Sequence, residues 1–428
     1  MEDRGRAIAT AVVVGRTGIV CLLVGSSLLS VRLVRAAPLN QQIPGLFGGQ
    51  LNTTIQRGIS EGQQLRFADQ FTNLNAELAA ARSQAPIPSA SGAFRFTWDT
   101  ELDTFVRSPL DLGDLVAERA QTVGRHTWTV SASYTHIDFN TLGGRPLNDL
   151  GFSQPALSSE LVMMLPPQDQ LKYGNDQLNT RLNLGLGFDL FFFAAAFGIT
   201  DSIDVSMALS VNRAHMSGTA VTNIQRVNPV TGKVETGNTS FLTNAMGNLA
   251  SPSGRLCQAG NLHCATDSFD QTAFGTGDLF LRGKWHVYDT PFADLAVAGV
   301  LTLPTGNADD FLGFHDPTFT PWLIASKTFG RVAPHFNLGY AIRSSQDVSQ
   351  LEWVTGADVR TFKWLTLTAD FLGFHQHDDV NDDVIQSAVG FKVNPIGNLV
   401  IGGSFQFPVN RDGLRANVIY TGQVEYTF

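Results

Sequence analysis

The chain has 428 residues, of which 43% are hydrophobic and only 16% are charged, and its formal net charge is −9. An acidic chain without a basic face binds phosphates poorly, so we expect no nucleic-acid partner. Beyond residue 36 no apolar run reaches the roughly 18 residues of a membrane-spanning helix, which argues against a helical membrane protein.

The first 36 residues predict a secretory signal peptide. Three arginines precede an apolar stretch over 19–29, and residues 34–36 offer a small-residue cleavage site. The alternative is a retained membrane anchor, but the run is short and Arg32 and Arg35 end it. The leader carries five arginines and two acidic residues, so its removal leaves a still more acidic chain.

Residues 37–123 form a second segment ahead of a long series of strands. Residues 61–82 have apolar positions at mixed spacings of three and four and end before two prolines, which predicts an amphipathic helix. Residues 94–98 and 104–106 predict a short hairpin. We expect this hairpin and residues 108–123 to pack as a plug in the mouth or lumen of a barrel; the alternative is a disordered periplasmic extension.

From residue 124 onwards, twelve segments alternate apolar and polar residues with the period of a β-strand. They lie at 124–139, 178–193, 202–215, 274–288, 291–303, 317–329, 332–343, 349–360, 363–374, 383–393, 398–407 and 415–428. Their connectors are alternately short and long, as in outer-membrane barrels, and the longest spans about 216–273. The sequence therefore predicts an all-β fold over 124–428: a single transmembrane antiparallel up-and-down β-barrel of twelve strands, with ten or fourteen as alternatives.

The last predicted strand ends on an aromatic residue, Phe428. Val418, Tyr420, Val424 and Phe428 share one face, as expected of a strand that contacts lipid on one side. This ending resembles the closing strand of bacterial outer-membrane barrels, in which a terminal Phe is an assembly signal. We therefore expect Phe428 to be such a signal and the chain to lie in the outer membrane of a Gram-negative bacterium.

Alternation also divides the strands into a lipid face and a lumen face. We expect Leu182, Leu184, Leu186, Phe188 and Leu190 to face lipid, with Leu281 and Trp285 in a later strand. The ionisable residues then assigned to the lumen are Arg181, Asp189, Asp278, Arg282, Lys284, His286, His335, Asp370 and Glu425. They are candidates for lining a pore and contacting substrate. The alternative is that they pair with each other and hold a narrow barrel shut.

Glu118 and Arg119 lie directly before the first barrel strand. In the lumen they would anchor the plug to the wall through a carboxylate–guanidinium contact. Solvated surface charge is the alternative.

Two further groups of residues are candidates for covalent or metal sites. Cys257 and Cys264 are close in sequence and, in an exported chain, predict a small disulfide loop, with free thiols or a metal site as alternatives. Residues 375–383 concentrate histidine and aspartate, but they lack the spacing of a calcium loop or a zinc site. A solvated acidic loop is favoured there and at Asp309 and Asp310, so we expect no metal and no cofactor.

Four motifs carry a family resemblance. Residues 118–125 (ERAQTVGR), 275–285 (GTGDLFLRGKW), 303–306 (LPTG) and 337–340 (NLGY) together resemble, in order and spacing, the outer-membrane family associated with the meta-pathway of phenol degradation. The resemblance covers roughly residues 92–428. It implies a barrel that passes small, often aromatic or hydrophobic compounds across the outer membrane. It supplies no catalytic or ligand residue, and the long 216–273 insertion departs from the family.

Three function classes remain. An outer-membrane channel or transporter for small hydrophobic or aromatic solutes is favoured. An outer-membrane lipid-modifying enzyme would need a serine, a histidine and an orienting acid at the membrane boundary, and no Gly-x-Ser-x-Gly motif or compact cluster is present, so we expect no enzyme. A structural or adhesive barrel is supported only by the polar 216–273 stretch. The expected partners are outer-membrane lipid and lipopolysaccharide, the barrel-assembly machinery and a small-molecule solute.

Overall fold

The structure, a computed structural model, describes most of the chain beyond the predicted leader. The described residues are 37–46, 52–55, 84–85, 96–99, 104–107, 112, 116–155, 162–163, 166–227, 230–231, 233–235, 240–243, 264–343, 349–376 and 383–428. The predicted signal peptide, the predicted helix over 61–82 and Cys257 lie outside them.

The described residues are mainly β-strand. The strands are β1 Asn52–Ile55, β2 Phe96–Asp99, β3 Thr104–Arg107, β4 Trp128–Leu142, β5 Arg145–Pro146, β6 Leu150–Pro155, β7 Gln177–Gly198, β8 Ile203–Val227, β9 Val234–Glu235, β10 Ser240–Thr243, β11 Cys264–Asp289, β12 Asp294–Leu303, β13 Thr318–Ser326, β14 Val332–Ala341, β15 Gln350–Phe362, β16 Leu365–Gln376, β17 Asp383–Ile396, β18 Leu399–Pro408 and β19 Leu414–Thr427. Helical segments are α1 Gln42–Leu46 and α2 Pro167–Tyr173, with 3-10 turns at Leu39–Gln41, Leu147–Asp149 and Ala308–Asp310. In this part of the chain no helix is long and apolar enough to span a bilayer.

Twelve of these strands close into one antiparallel barrel. β4, β7, β8 and β11 to β19 pair in that order, and β19 returns to pair with β4. The predicted fold class is confirmed, because each of the twelve predicted strands overlaps one barrel strand. The predicted hairpin is confirmed as well, since Phe96 pairs with Arg107 and Asp99 with Thr104.

The two ends of the barrel differ in the length of their connections. Residues 290–293, 327–331, 363–364 and 397–398 make short turns at the end where Phe428 lies, and the longer connections are at the other end. Short turns mark the periplasmic side of outer-membrane barrels. The long connections are therefore extracellular.

Three strands are much longer than a membrane requires. β7, β8 and β11 contain 22, 25 and 26 residues, whereas a tilted strand needs about 9–11 residues to cross a bilayer. Their extracellular halves therefore project beyond the lipid. The predicted loop over 216–273 is wrong in part, because residues 216–227 and 264–273 belong to β8 and β11.

An apolar band surrounds the barrel on its outer face. Exposed large hydrophobic side chains occur on every barrel strand and include Val130, Phe193, Met207, Leu281, Trp285, Leu301, Leu323, Phe336, Val359, Phe371, Phe391, Phe405 and Val424. Such a continuous apolar surface is unfavourable in water, and it is typical of a barrel whose outer face contacts the hydrocarbon core of a membrane.

On the extracellular half of β7 the predicted faces are reversed. Leu182 and Phe188 are 0% and 3% exposed and point inward, whereas Arg181 is exposed. The lumen assignment of Arg181 and Asp189 is therefore wrong. The physical reason is that water, not lipid, surrounds this part of the strand. The apolar face is instead buried in a core that includes Leu39, Ile43 and Leu46 of the N-terminal segment.

Candidate solute chamber

A cavity of about 190 Å³ lies inside the barrel. It is bounded by residues 116–118 of the N-terminal segment and by Phe314 of the loop between β12 and β13. Its aromatic lining is Phe192, Phe280, Phe314, Trp322 and Phe374, and its polar lining includes Ser131, Ser206, Asn212, Asn337 and the pairs Glu118–Arg282 and Arg343–Glu352. The chamber therefore combines an apolar surface with a few fixed polar groups, as ligand sites do.

Small residues on adjacent strands leave the space for this chamber. β7 contributes Ala194 and Ala196, and β8 contributes Ser206 and Ala208. Larger rings stand beside them: the centroids of Phe192 and Phe280 are 5.9 Å apart. The guanidinium of Arg343 lies 4.7 Å from the ring centroid of Phe314, in cation–π geometry.

Asp278 ties the extracellular loop to the inner wall. The amide of Gly306 donates to Oδ1 of Asp278 at 3.2 Å and the amide of Phe314 donates to Oδ2 at 2.9 Å. The side-chain amide of Asn212 also donates a hydrogen bond to the backbone carbonyl of Leu312 at 2.8 Å. The loop consequently folds into the lumen, where Leu312 and Phe314 are 4% and 8% exposed.

The geometry of this loop is closely fitted. A Cβ added at Gly313 would collide with the carboxylate of Asp278 and with Gly306. Phe311 has a φ of 57°, in the left-handed region that non-glycine residues rarely adopt. The inward fold therefore depends on glycine at position 313 and on the Asp278 contacts.

The same loop also binds the start of the N-terminal segment. Asp310 accepts a hydrogen bond from the backbone amide of Leu39 at 3.1 Å, and Asp309 accepts one from the side-chain amide of Asn40 at 2.9 Å. Asp309 is exposed, as expected of a solvated loop, whereas Asp310 is partly buried and the expectation that it is merely solvated is wrong. The partners are about 270 positions away in sequence, so no local pattern revealed them.

At the periplasmic end, residues 116–123 lie across the inner wall. Glu118 forms an ion pair with Arg282, and Arg119 lies 3.3 Å from Asp358, which is fully buried. Backbone groups of the segment are bound too. Val123 donates to Asp204 at 3.0 Å, and Lys284 donates to the carbonyl of Gln121 at 2.7 Å.

Further contacts extend this attachment around the barrel. The wall groups that bond to the backbone of residues 118–120 include Ser326, Asn337 and His286, on β13, β14 and β11. The segment is thus bonded to several neighbouring strands near the periplasmic end of the barrel. Glu118 and Arg119 therefore make the ion pairs with the wall that the predicted plug anchor requires. Their role as an anchor stays a prediction.

Seven of the nine predicted lumen residues lie on the inner face: Asp278, Arg282, Lys284, His286, His335, Asp370 and Glu425. Of these, Asp278 and Arg282 line the chamber. His335 is paired with Asp370 at 2.6 Å and Glu425 with Lys392 at 3.5 Å, both as buried pairs. This arrangement matches the alternative in which such residues pair with each other, and a pore-lining role stays a prediction.

Asp189 instead takes part in a cluster on the outer face. Its carboxylate accepts from Tyr134 at 2.7 Å, contacts His136 at 2.8 Å and pairs with Arg213 at 3.3 Å. In β-sheet register, Tyr134 and Phe191 stand one step closer to the periplasm than His136 and Asp189. The cluster therefore marks the extracellular edge of the apolar band.

The aromatic lining of the chamber was not predicted from the sequence. Phe280 interrupts the charged inner face of β11 between Asp278 and Arg282, which is a local signal for an apolar lumen surface. The guanidinium of Arg343 lies 3.9 Å from the carboxylate of Glu352, although the connection between β14 and β15 separates the two residues in sequence. That pairing depends on the register between β14 and β15.

The predicted disulfide and the histidine-rich loop cannot be placed as sites. Cys257 and residues 377–382 are outside the described ranges, although His375 and Asp383, which flank the loop, contact each other. Within those ranges no group of three or more His, Cys, Asp or Glu side chains is placed to hold a metal.

No family model matches the sequence, and no curated protein matches it. Among solved structures, an outer membrane channel from Pseudomonas putida F1 is 10% identical, covers 74% of this chain and 100% of its own, with a TM-score of 0.45. A FadL homologue from Pseudomonas aeruginosa is 11% identical, covering 72% and 91% of the two chains, with a TM-score of 0.31. The CymD monoaromatic hydrocarbon channel is 8% identical, covering 71% and 88%, with a TM-score of 0.33.

These similarities are remote, and the membrane assignment follows from the barrel itself. A closed antiparallel barrel leaves no unpaired strand edge in lipid, and its exposed apolar band fits the hydrocarbon core. The protein is an outer-membrane β-barrel of a Gram-negative bacterium.

Proposed function

We propose that this barrel is a gated channel for small hydrophobic or aromatic solutes, which cross the outer membrane through the chamber. The observation that carries the proposal is the cavity lined by Phe192, Phe280, Phe314, Trp322 and Phe374. Its volume of about 190 Å³ suits a solute of one ring. Rings of this kind gain from offset or edge-to-face contact with aromatic side chains.

The two closures support gating rather than a permanently open pore. We propose that the loop held by Asp278 closes the extracellular side and that residues 116–123, which are bonded to Asp204, close the periplasmic side. Both are joined to the wall by hydrogen bonds and ion pairs that can exchange for water when a segment moves. We propose that residues 37–123 serve as the plug of the 124–428 barrel, and that the resemblance to the phenol-degradation family reflects a shared solute class.

Two further parts of the proposal concern partners. The outer-face cluster of His136, Asp189 and Arg213 lies where lipid headgroups begin, and we propose that it contacts lipopolysaccharide. We propose that the terminal Phe428 is read by the barrel-assembly machinery. The partner that defines the proposed function is the small-molecule solute.

Planar bilayers test the channel. The purified, refolded protein should give discrete conductance steps, and an aromatic ion such as benzenesulfonate should carry current or block it more strongly than an aliphatic sulfonate of equal size. Trp322→Ala and Phe280→Ala should reduce that preference without abolishing the conductance. Phe371→Ala, on the outer face, is the control. A folded barrel with no conductance in any condition would remove the proposal.

A further inference from the structure

The inner face of β11 carries an aromatic ring and two cations in succession. Phe280, Arg282 and Lys284 point inward, since the residues between them are exposed on the outer face. Alternate residues of a strand lie roughly 7 Å apart on one face. Phe280 and Arg282 line the chamber, and Lys284 follows them towards the periplasmic end of the strand. A solute in the chamber therefore meets a ring and a guanidinium group from the same strand.

The carboxylate of Glu118 lies between these two cations. It forms an ion pair with Arg282, and its Oε2 is 4.0 Å from Nζ of Lys284. Glu118 also borders the chamber, together with Val116 and Ala117. Its side chain is 9% exposed, so the contact is shielded from water. A carboxylate site is thus built into the chamber wall, and a carboxylate of the protein itself fills it.

The two cations depend on Glu118 to different extents. Lys284 lies 3.7 Å from a carboxylate oxygen of Asp204, so it keeps a counter-ion when Glu118 leaves. Among the described residues, Glu118 supplies the one carboxylate within ion-pair distance of Arg282, and Nε of Arg282 makes no hydrogen bond. A charge buried without a counter-ion is strongly unfavourable. If Glu118 leaves, Arg282 therefore requires another anion.

The space beside Arg282 suits a ring that carries a carboxylate. On β8, Ser206 is opposite Arg282 and Ala208 is opposite Phe280. These two small residues line the chamber and leave room next to the guanidinium group. The Ser206 hydroxyl can donate a second hydrogen bond to a carboxylate. The centroids of Phe280 and Phe192 are 5.9 Å apart, and such rings hold a further ring by offset or edge-to-face contact. Adjacent groups thus recognise the ring and the anion.

We propose that this site binds aromatic carboxylates of one ring, and that the solute carboxylate replaces Glu118 on Arg282. The inference rests on the channel proposed above and names its solute class. Glu118 keeps Lys284 as a neighbour, so the exchange leaves neither Glu118 nor Arg282 without an opposite charge. A neutral ring of the same size enters the chamber but leaves Glu118 in place. An aromatic carboxylate therefore binds and also loosens one contact that holds residues 116–123 to β11.

Equilibrium dialysis of the purified protein with radiolabelled benzoate measures this binding, and benzamide, a neutral molecule of the same shape, is the comparison. Benzoate should bind more tightly than benzamide, since hydrogen bonds to an ionised group are stronger than neutral ones. Arg282→Gln should weaken benzoate binding about tenfold or more and leave benzamide binding unchanged. Glu118→Gln removes the competing carboxylate and should strengthen benzoate binding about tenfold. Arg181→Gln, which changes an exposed arginine of β7, is the matched control.

The opposite effects of the two variants separate recognition from stability, because a disturbed fold weakens the binding of both ligands. If Arg282→Gln does not fold, Glu118→Gln still decides. Benzoate binding that is unchanged in a folded Arg282→Gln variant, or not strengthened in Glu118→Gln, overturns the inference. In planar bilayers benzoate should raise the conductance at lower concentrations than acetate, which lacks the ring. Conductance that ignores benzoate overturns the solute class and leaves the channel standing, whereas no conductance in any condition removes the channel proposal itself.

Discussion

Phe428 and Trp128 exchange two backbone hydrogen bonds, each of 2.8 Å, so the last residue of the sequence closes the barrel against its first strand. The ring of Phe428 is 60% exposed and lies 6.1 Å from that of Tyr426, within the apolar band. One residue thus completes the seam between β19 and β4 and also presents an aromatic ring to lipid.

Removal of Phe428, or its replacement by Asp, should impair outer-membrane assembly far more than the loss of one apolar side chain predicts. The deletion removes both seam hydrogen bonds, and the charge would enter the lipid band. Folded protein is measured by its heat-modifiable mobility in gels. Phe428→Tyr is the control and should assemble normally. Wild-type amounts of folded barrel in the Asp variant would show that the terminal ring is not a signal.

The fold was predictable because strand alternation and connector length are local properties of the sequence. Which side chains of a strand point outward was predictable only where the medium outside the barrel, lipid or water, was known. On β11 the outward positions of Leu281 and Trp285 were assigned correctly, because they lie in the lipid band. On β7 the same reasoning failed at Leu182, since above the band an apolar face turns inward. Alternation gives the period of a strand but not the identity of the medium on each side.

The chamber was less predictable because its contacts join distant parts of the chain. The amide of Ala120 reaches Ser326, and the amide of Leu39 reaches Asp310. No spacing rule relates such pairs. Asp278 was correctly assigned to the lumen, but its role as the acceptor for Gly306 and Phe314 required the fold of the loop.

Asp278→Ala should release the extracellular loop from the wall. The change removes the acceptor of two loop amides in a buried site, and hydrogen bonds to a charged group contribute about 1.5–3 kcal/mol each. We expect a higher single-channel conductance and a lower free energy of unfolding. Asp278→Asn keeps an acceptor oxygen and should be intermediate. Asp270→Ala, on the exposed outer side, is the control, and equal conductance of both alanine variants would argue against a loop closure.

Gly313→Ala tests the same closure by steric means. The added methyl group would overlap the Asp278 carboxylate, so the loop must shift away from the wall. Conductance should rise as in Asp278→Ala, and the two changes should not add in the double variant because they act on one contact. Gly151→Ala, where an added Cβ meets nothing, serves as the comparison. Additive effects on conductance would mean that the two residues act separately.

The Arg119–Asp358 pair should contribute strongly to the attachment of the plug segment. Asp358 is 0% exposed and Arg119 is 6% exposed, so removal of one partner leaves a buried charge. Asp358→Ala should lower the free energy of unfolding by about 3–5 kcal/mol, and the double variant Arg119→Met with Asp358→Ala should recover part of it. Urea titration in lipid vesicles measures both. Strictly additive losses would indicate that the pair is not coupled in solution.

The last prediction concerns the periplasmic closure as a whole. Residues 118–123 are bonded to Asp204, Arg282, Lys284, Ser326 and Asn337, which belong to strands on one half of the barrel. Deletion of residues 92–123 removes all these contacts and leaves β4 intact, so the barrel should still fold with a wider and less selective opening. Conductance and sensitivity to bulky antibiotics should both rise.

Glu118→Ala with Arg119→Ala should produce a smaller effect of the same kind. It removes the two ion pairs to Arg282 and Asp358 but keeps the backbone hydrogen bonds to Asp204 and Ser326, so the segment loosens without leaving. Leak conductance should lie between those of the wild type and the deletion. Arg145→Ala with Asp149→Ala, an exposed extracellular pair of the same charges, should conduct like wild type. If the deletion also conducts like wild type, solute passes by another route and residues 92–123 have no gating role.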